Sequence, residues 1–410
     1  MRILILSAST GGGHMKAAKA IKSYILKNSS ESTVEIVDTL EYINHMLNKT
    51  VSDGYSYIAK KTPAIFGTIY NASNKENKFN DLIVNLNNLF SKKLLTLLNE
   101  FKPDAIIATH MFPNEMVSNL KGQGKISIPL ICIITDYATH KTWISKNVDA
   151  YITANEEMSN SMIESGVNKD IIYSYGIPVE PEFYIKNDKD KLLRKLNLNP
   201  NKPTILLMAG SFGVTNILEI YDNLSEINYD FQVVVITGKN ERLYNTFKKR
   251  LHLEHESVTR KVHVKTIDFI KKSIKVHSEK LAGIKLYWHK EKKIKPTNLI
   301  FFTNKVFEYM QAADLIITKP GGLTVSEALA CNLPMVLFNA IPGQEEENAN
   351  FLVKNNMAIK IKNSSQIKTT VKDLISNENM LKSMRDSCKT FDKSQGNENI
   401  LKLIKSLIEQ

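Results

Sequence analysis

The chain alternates between short unbroken apolar runs and longer stretches in which apolar residues recur at helical spacing. Arg2–Ser7 is the first apolar run; it passes into Ser9-Thr10-Gly11-Gly12-Gly13-His14 and then into 15–26, whose spacing and good helix formers predict a helix. This is a strand, glycine loop, helix unit. Further strands are predicted at 33–37, 105–108, 130–135 and 150–154, separated by helical stretches such as 82–101. The alternation predicts a parallel sheet with helices on both faces.

A second series follows Gly176-Ile177-Pro178-Val179-Glu180-Pro181 and the charged stretch 186–191, which together read as a linker. Thr204–Met208 leads into Ala209-Gly210-Ser211-Phe212-Gly213, and 231–237 into Gly238-Lys239-Asn240. Leu315–Thr318 leads into Lys319-Pro320-Gly321-Gly322, and 335–338 into a Pro-Gly loop. At 410 residues the chain is long for one core and comfortable for two. The expected architecture is α/β, with two Rossmann-like doubly wound domains facing a cleft. The first spans 1–180; the second spans 181–375 and carries an insertion at 251–297; helices in 376–410 are expected to pack back toward the first domain. Ligands of open parallel sheets sit beyond the carboxyl ends of the strands, so the glycine loops of both halves point to the cleft.

The composition, 43% hydrophobic and 23% charged, is globular. Cys132, Cys331 and Cys388 lie far apart without a CxxC pair, which argues against a disulfide framework or thiolate zinc site and suits a reducing cytoplasm. No window approaches the apolar length of a membrane span, and the amino-terminal run lacks a signal peptide's cleavage region, so a cytoplasmic setting is expected. A net charge of +12 favours an anionic partner: nucleic acid, anionic lipid or a phosphorylated substrate. The insertion alone holds 12 Lys/Arg against 5 Asp/Glu. Its five histidines are irregularly spaced, with no HExxH, and it lacks a nucleic-acid recognition motif. Neither a metal site nor nucleic-acid binding is expected there; attraction to an anionic membrane surface is.

Lys319-Pro320-Gly321-Gly322-Leu323-Thr324-Val325-Ser326-Glu327 reads as a strand end, a tight turn and a helix start. Backbone N–H groups at a helix N-terminus suit a diphosphate, and glycine allows close approach. Thr324 and Glu327 also fit a capping box that stabilises the helix. Pro342-Gly343-Gln344-Glu345-Glu346-Glu347-Asn348 gathers acceptors and amides suited to sugar hydroxyls. His14 follows the first glycines, and imidazole titrates near neutrality, which suits either proton abstraction from a hydroxyl or a hydrogen bond to phosphate. Asp136 ends an apolar run and precedes His140 and Trp143. It is a second candidate base, or the group that orients His14. The only DxD match, Asp188-Lys189-Asp190, lies in the linker and reads as solvated rather than as a metal clamp.

The order GGGH, GIPV, KPGG with TxSEA, and PGQExxN resembles the diacylglycerol glycosyltransferases related to plant monogalactosyldiacylglycerol synthases, including processive diacylglycerol glucosyltransferase-like proteins. It is more distantly similar to the N-acetylglucosaminyltransferase that forms lipid II. The resemblance covers most of the chain outside 251–297. It implies the B-type glycosyltransferase fold, a UDP-sugar held by the second domain and a lipid acceptor held by the first. In the donor site, Glu327 would take the ribose hydroxyls, and Gly321, Gly322 and Thr324 the diphosphate. Lys319 and Pro320 would flank it, Gln344, Glu345 and Asn348 would meet the sugar, and Ser211, Phe212 and Gly213 would close over the phosphates. Phe302 and Thr303 would approach uracil, with Gly238, Lys239 and Asn240 on the neighbouring loop and Gly12 and Gly13 facing from the first domain. The acceptor side would use Tyr57, Pro63, Phe66 and Tyr70 from the aromatic, basic stretch 54–70, together with His140 and Trp143.

The implied reaction is inverting transfer of glucose or galactose from UDP to diacylglycerol, without a metal or other cofactor, by a protein peripheral on the inner face of the cell membrane. UDP-N-acetylglucosamine transfer to a polyprenyl diphosphate, a UDP-sugar 2-epimerase and a non-enzymatic nucleotide-sugar sensor remain alternatives.

Overall fold

The computed structural model describes residues 1–9, 12–46, 93–208, 217–253 and 293–410. The expected contacts of Ser211, Phe212 and Gly213, those of Tyr57, Pro63, Phe66 and Tyr70, and most of the basic insertion lie outside the described residues.

Among the described residues, twelve strands form two six-stranded parallel sheets. The first comprises β1 (Arg2–Ser7), β2 (Thr33–Asp38), β3 (Ala105–Ala108), β4 (Leu130–Ile133), β5 (Ala150–Ile152) and β6 (Ile172–Tyr173), in the order β2-β1-β3-β4-β5-β6. The second comprises β7 (Thr204–Met208), β8 (Gln232–Ile236), β9 (Thr297–Ile300), β10 (Leu315–Thr318), β11 (Met335–Leu337) and β12 (Ala358–Lys360), in the order β12-β11-β10-β7-β8-β9. Each sheet winds one way from its first strand and then crosses to the other side. The crossover points therefore fall between β1 and β3 and between β7 and β10, where such sheets open a crevice.

The central strands are buried along their whole length, because helices cover both faces and leave no polar side to alternate. Three strands escaped the apolar pattern: β6, β9 and β12. All are sheet edges with one neighbour and mostly half-buried residues, so their sequences need not be uniformly apolar.

The helix predicted from 15 begins at Gly12 and runs to Asn28, so Gly12, Gly13 and His14 form its first turn instead of a loop. The capping box is not formed. Thr324 lies inside the helix Gly322–Ala330, whose N-cap is Gly321 and whose start has no side-chain cap. At the carboxyl end, the helix Gly396–Ile408 returns to the first sheet, where Ile400, Leu401 and Ile404 pack with Ile3, Ile5 and Ile107. The preceding helix, Glu378–Thr390, instead buries Met384 against the second sheet's core.

The two halves touch at their crossover points. A Cβ on Gly322 would collide with the backbone carbonyl of Thr135, just past β4, so only glycine permits this approach. Beside it, Tyr137 of the first half enters the second, its hydroxyl 2.8 Å from Ser326 Oγ and its ring against Phe351 and Phe391. The Tyr137 N–H donates to Asn348 Oδ1 at 2.7 Å, and Asn348 Nδ2 donates to the Pro320 carbonyl at 3.0 Å. Gly322→Ala should therefore part the halves and cost about 1–3 kcal/mol, the usual effect of overpacking. A lowered Tm with faster amide exchange at Tyr137 is the expected result; an unchanged melt and exchange rate would show that the contact is loose.

Candidate active site

His14 stands in the first turn of the helix after β1, and Thr109 follows β3, so the first crossover point brings them together. His14 Nδ1 lies 3.0 Å from the Thr109 carbonyl and 2.7 Å from Thr135 Oγ1. A carbonyl oxygen only accepts, so Nδ1 carries the proton and Nε2 holds the lone pair. Burial lowers the His14 pKa to about 4, and the Thr109 carbonyl opposes that shift. The positive end of its own helix also disfavours the imidazolium. His14 is thus neutral at physiological pH, with Nε2 fixed as an acceptor.

His110 meets His14 edge-on, with ring centroids 4.6 Å apart, and is held well below the ordinary histidine range by burial and then by His14. Its Nδ1 accepts from Phe112 N–H at 3.2 Å, capping the helix Met111–Gly122. Trp143 is buried behind both rings, 6.3 Å from His14 and 6.4 Å from His110. It therefore backs the site and does not line open surface. His140 caps the short turn Lys141–Trp143 through Nδ1, and burial lowers its pKa.

Asp136 is 8% exposed, and Gln344 Nε2 donates to its Oδ2 at 2.9 Å from across the cleft. Burial raises its pKa to about 6; Asn348 and Trp143 oppose the rise and Glu345 adds to it. Asp136 makes no hydrogen bond to His14 among the described residues. Orienting His14 falls to Thr109 and Thr135.

On the facing side, the uncapped helix start at Gly321-Gly322 leaves the first-turn N–H groups without side-chain partners. Gly321 has open space where a Cβ would stand. Five residues on, Glu327 is buried; Lys16 Nζ reaches its Oε1 at 3.3 Å, while Oε2 is buried and unpartnered among the described residues. An unsatisfied buried carboxylate oxygen is costly, and a ligand hydroxyl would satisfy it. Lys319 and Thr324 are half-buried beside this start.

The sugar-side residues divide. Gln344 is bonded to Asp136, Glu345 Oε2 accepts from Ile341 N–H at 2.9 Å, and Asn348 is committed to the backbone of Tyr137 and Pro320. Asn348 thus acts as a clamp between the halves, a task its sequence position did not suggest. At the far edge, Phe302 is 47% exposed with Lys239 Nζ 5.1 Å from its ring centre. Gly238 takes a positive φ of 64°, Asn240 caps the helix Glu241–Arg250, and Thr303 Oγ1 accepts from Lys305 N–H. The pair Phe302 and Lys239 offers a flat face and a cation.

Asp188 caps the helix Lys189–Lys195, accepting from Lys191 N–H at 3.1 Å, so the DxD match is occupied with local structure. Among the described residues no group of three His, Cys, Asp or Glu converges to hold a metal.

Thr109, His110, Thr135 and Lys16 were not singled out from sequence. Thr109 and His110 had a usable signal: they directly follow an apolar strand, as Asp136 nearly does. Thr135 shared that signal, standing between β4 and Asp136, whereas Lys16 had none, because its partner lies 311 residues away.

Residues 14–179 match the family model described as monogalactosyldiacylglycerol (MGDG) synthase, and residues 274–403 match the glycosyltransferase family 28 C-terminal domain. The processive diacylglycerol beta-glucosyltransferase of Bacillus subtilis is 29% identical over 98% of this chain and 94% of its own. Among solved structures, MurG of Acinetobacter baumannii aligns with 99% of each chain at TM-score 0.58 and 13% identity. A UDP-GlcNAc 2-epimerase of Neisseria meningitidis, bound to UDP-GlcNAc, aligns with 99% of this chain and 100% of its own at TM-score 0.52 and 13% identity. At such identities these two likenesses show the fold alone.

The tautomer of His14 is directly measurable. Nitrogen-15 NMR of the imidazole should show a protonated Nδ1 and no titration until about pH 4. A protonated Nε2, or a midpoint near 6.5, would contradict the assignment.

Proposed function

We propose that this chain is a member of the diacylglycerol glycosyltransferase family related to monogalactosyldiacylglycerol synthase, and that it moves a hexose from a UDP-sugar to diacylglycerol, forming a membrane glycolipid. The observation that carries the donor assignment is Glu327 Oε2, buried and unpartnered on the helix whose uncapped start is the Gly321-Gly322 turn. One helix thereby offers an acceptor for ribose hydroxyls and backbone donors for a diphosphate. We assign glucose as the sugar. The galactose-named model matches residues 14–179, on the acceptor side, whereas the glucose-named relative matches along 98% of the chain.

Asp136 is the better base. A general base works best with a pKa near the operating pH; Asp136 at about 6 meets this more closely than His14 at about 4. The acceptor oxygen attacks the anomeric carbon as its proton passes to Asp136, with His14 Nε2 accepting a hydrogen bond that aligns the hydroxyl. The bond from the anomeric carbon to the phosphate oxygen breaks, and UDP departs with the electron pair toward the N–H groups at Gly321-Gly322. Attack opposite the leaving group inverts the anomeric centre. The helix start and Lys319 take the role that a divalent cation plays elsewhere, so activity should survive a chelator.

No helix of the described residues is long and apolar enough to cross a membrane. We place the protein on the anionic inner surface of the cell membrane, where lipid acceptor and soluble donor meet.

The test supplies radiolabelled UDP-glucose and diacylglycerol liposomes, with chelator, and separates the lipids. Labelled beta-glucosyl lipid is expected; label only in free sugar, or an alpha linkage, would contradict the scheme. Asp136→Asn should lower kcat by about 10²- to 10⁴-fold. The base must be ionised to act, so kcat/KM should rise with pH through about 6 and level above it. A limb near pH 4 would hand the role to His14.

A further inference from the structure

Lys16 sits two residues beyond His14 on the first-domain helix, yet its ammonium lies 3.3 Å from Glu327 Oε1 on the second-domain helix. The pair is asymmetric. The Lys16 side chain is 51% exposed and well hydrated, whereas that of Glu327 is 6% exposed and depends on its neighbours. Those neighbours are few: Glu180 repels its charge, Cys331 lies nearby as a neutral thiol with its pKa driven up by burial, and Lys16 is the one cation acting on it among the described residues. Burial pushes the Glu327 pKa up and Lys16 opposes that rise. Lys16 occupies Oε1 and leaves Oε2 open.

We propose that Lys16 is a positioning residue for donor recognition: reaching across the cleft, it favours the ionised form of Glu327, whose Oε2 can then accept from the vicinal hydroxyls of a nucleoside diphosphate. This rests on the donor assignment of Glu327 made above. A protonated Glu327 would still fit the space but would lose the charged acceptor that strengthens a hydroxyl hydrogen bond. Recognition of the ribose then depends on both domains, because the acceptor lies on one and the cation that maintains it on the other. A donor bound to an open cleft would lack this support and be held less tightly.

The experiment measures binding of UDP and of 2′-deoxy-UDP by calorimetry between about pH 5.5 and pH 8, using the ratio of the two dissociation constants; phosphate titration is common to both and cancels. The full-length wild type should prefer UDP by about ten- to a hundredfold at the alkaline end, the range for a hydrogen bond to a charged group, and should keep more of that preference at the acid end than Lys16→Met does. Lys16→Met should lose that preference at the acid end and recover it at the alkaline end, and Lys16→Arg should behave as wild type. Glu327→Gln should show a reduced preference at every pH. A Lys16→Met profile matching wild type, with the Glu327→Gln preference reduced, would overturn the role of Lys16 and leave the donor site standing. An undiminished preference in Glu327→Gln would overturn the donor assignment and this inference with it.

Discussion

The close approach of Gly322 to the Thr135 carbonyl is the constraint on which the site depends. A parallel sheet places its polar loops at the carboxyl ends of its strands, and each crossover point leaves one gap among them. Two such sheets give two gaps, which form a single site only if the backbones around them meet. The missing side chain at Gly322 allows that, and Tyr137 and Asn348 hold the junction with hydrogen bonds from one half to the other. Each buried bond contributes about 1 kcal/mol, a modest sum beside the geometry that it secures.

Burial also sets the charges. Three ionisable groups near the junction are shielded from water, and each responds according to its partner. His14 has only a carbonyl and a hydroxyl near Nδ1, so it gives up its proton. Asp136 has an amide from Gln344 but a carboxylate in Glu345 nearby, and its pKa rises. Glu327 has a cation, which restrains a rise that burial would otherwise enlarge. An acceptor, a candidate base and a donor anchor thus arise from three versions of one desolvation cost.

Much of this was legible in the amino-acid order. The central strands announced themselves as unbroken apolar runs because helices bury both their faces; β6, β9 and β12 did not, because an edge strand keeps one side near water. Glycines after β1 and β10 correctly marked chain reversals at crossover points, yet a motif could not tell which glycine serves a ligand and which serves packing. Gly321 faces open space while Gly322 meets a backbone carbonyl. The pattern Thr324 to Glu327 imitated a capping box because the spacing alone omits where the helix starts, three residues earlier than the motif requires. Pairings such as Lys16 with Glu327 or Asp136 with Gln344 join residues 311 and 208 positions apart, and no local period reports them.

A crystal structure of the protein with UDP tests the central claim most directly. The account predicts the pyrophosphate against the backbone N–H groups that follow Gly321, and the ribose hydroxyls on Glu327 Oε2. UDP bound elsewhere, with the Gly321-Gly322 turn empty and Glu327 still contacting only Lys16, would contradict it.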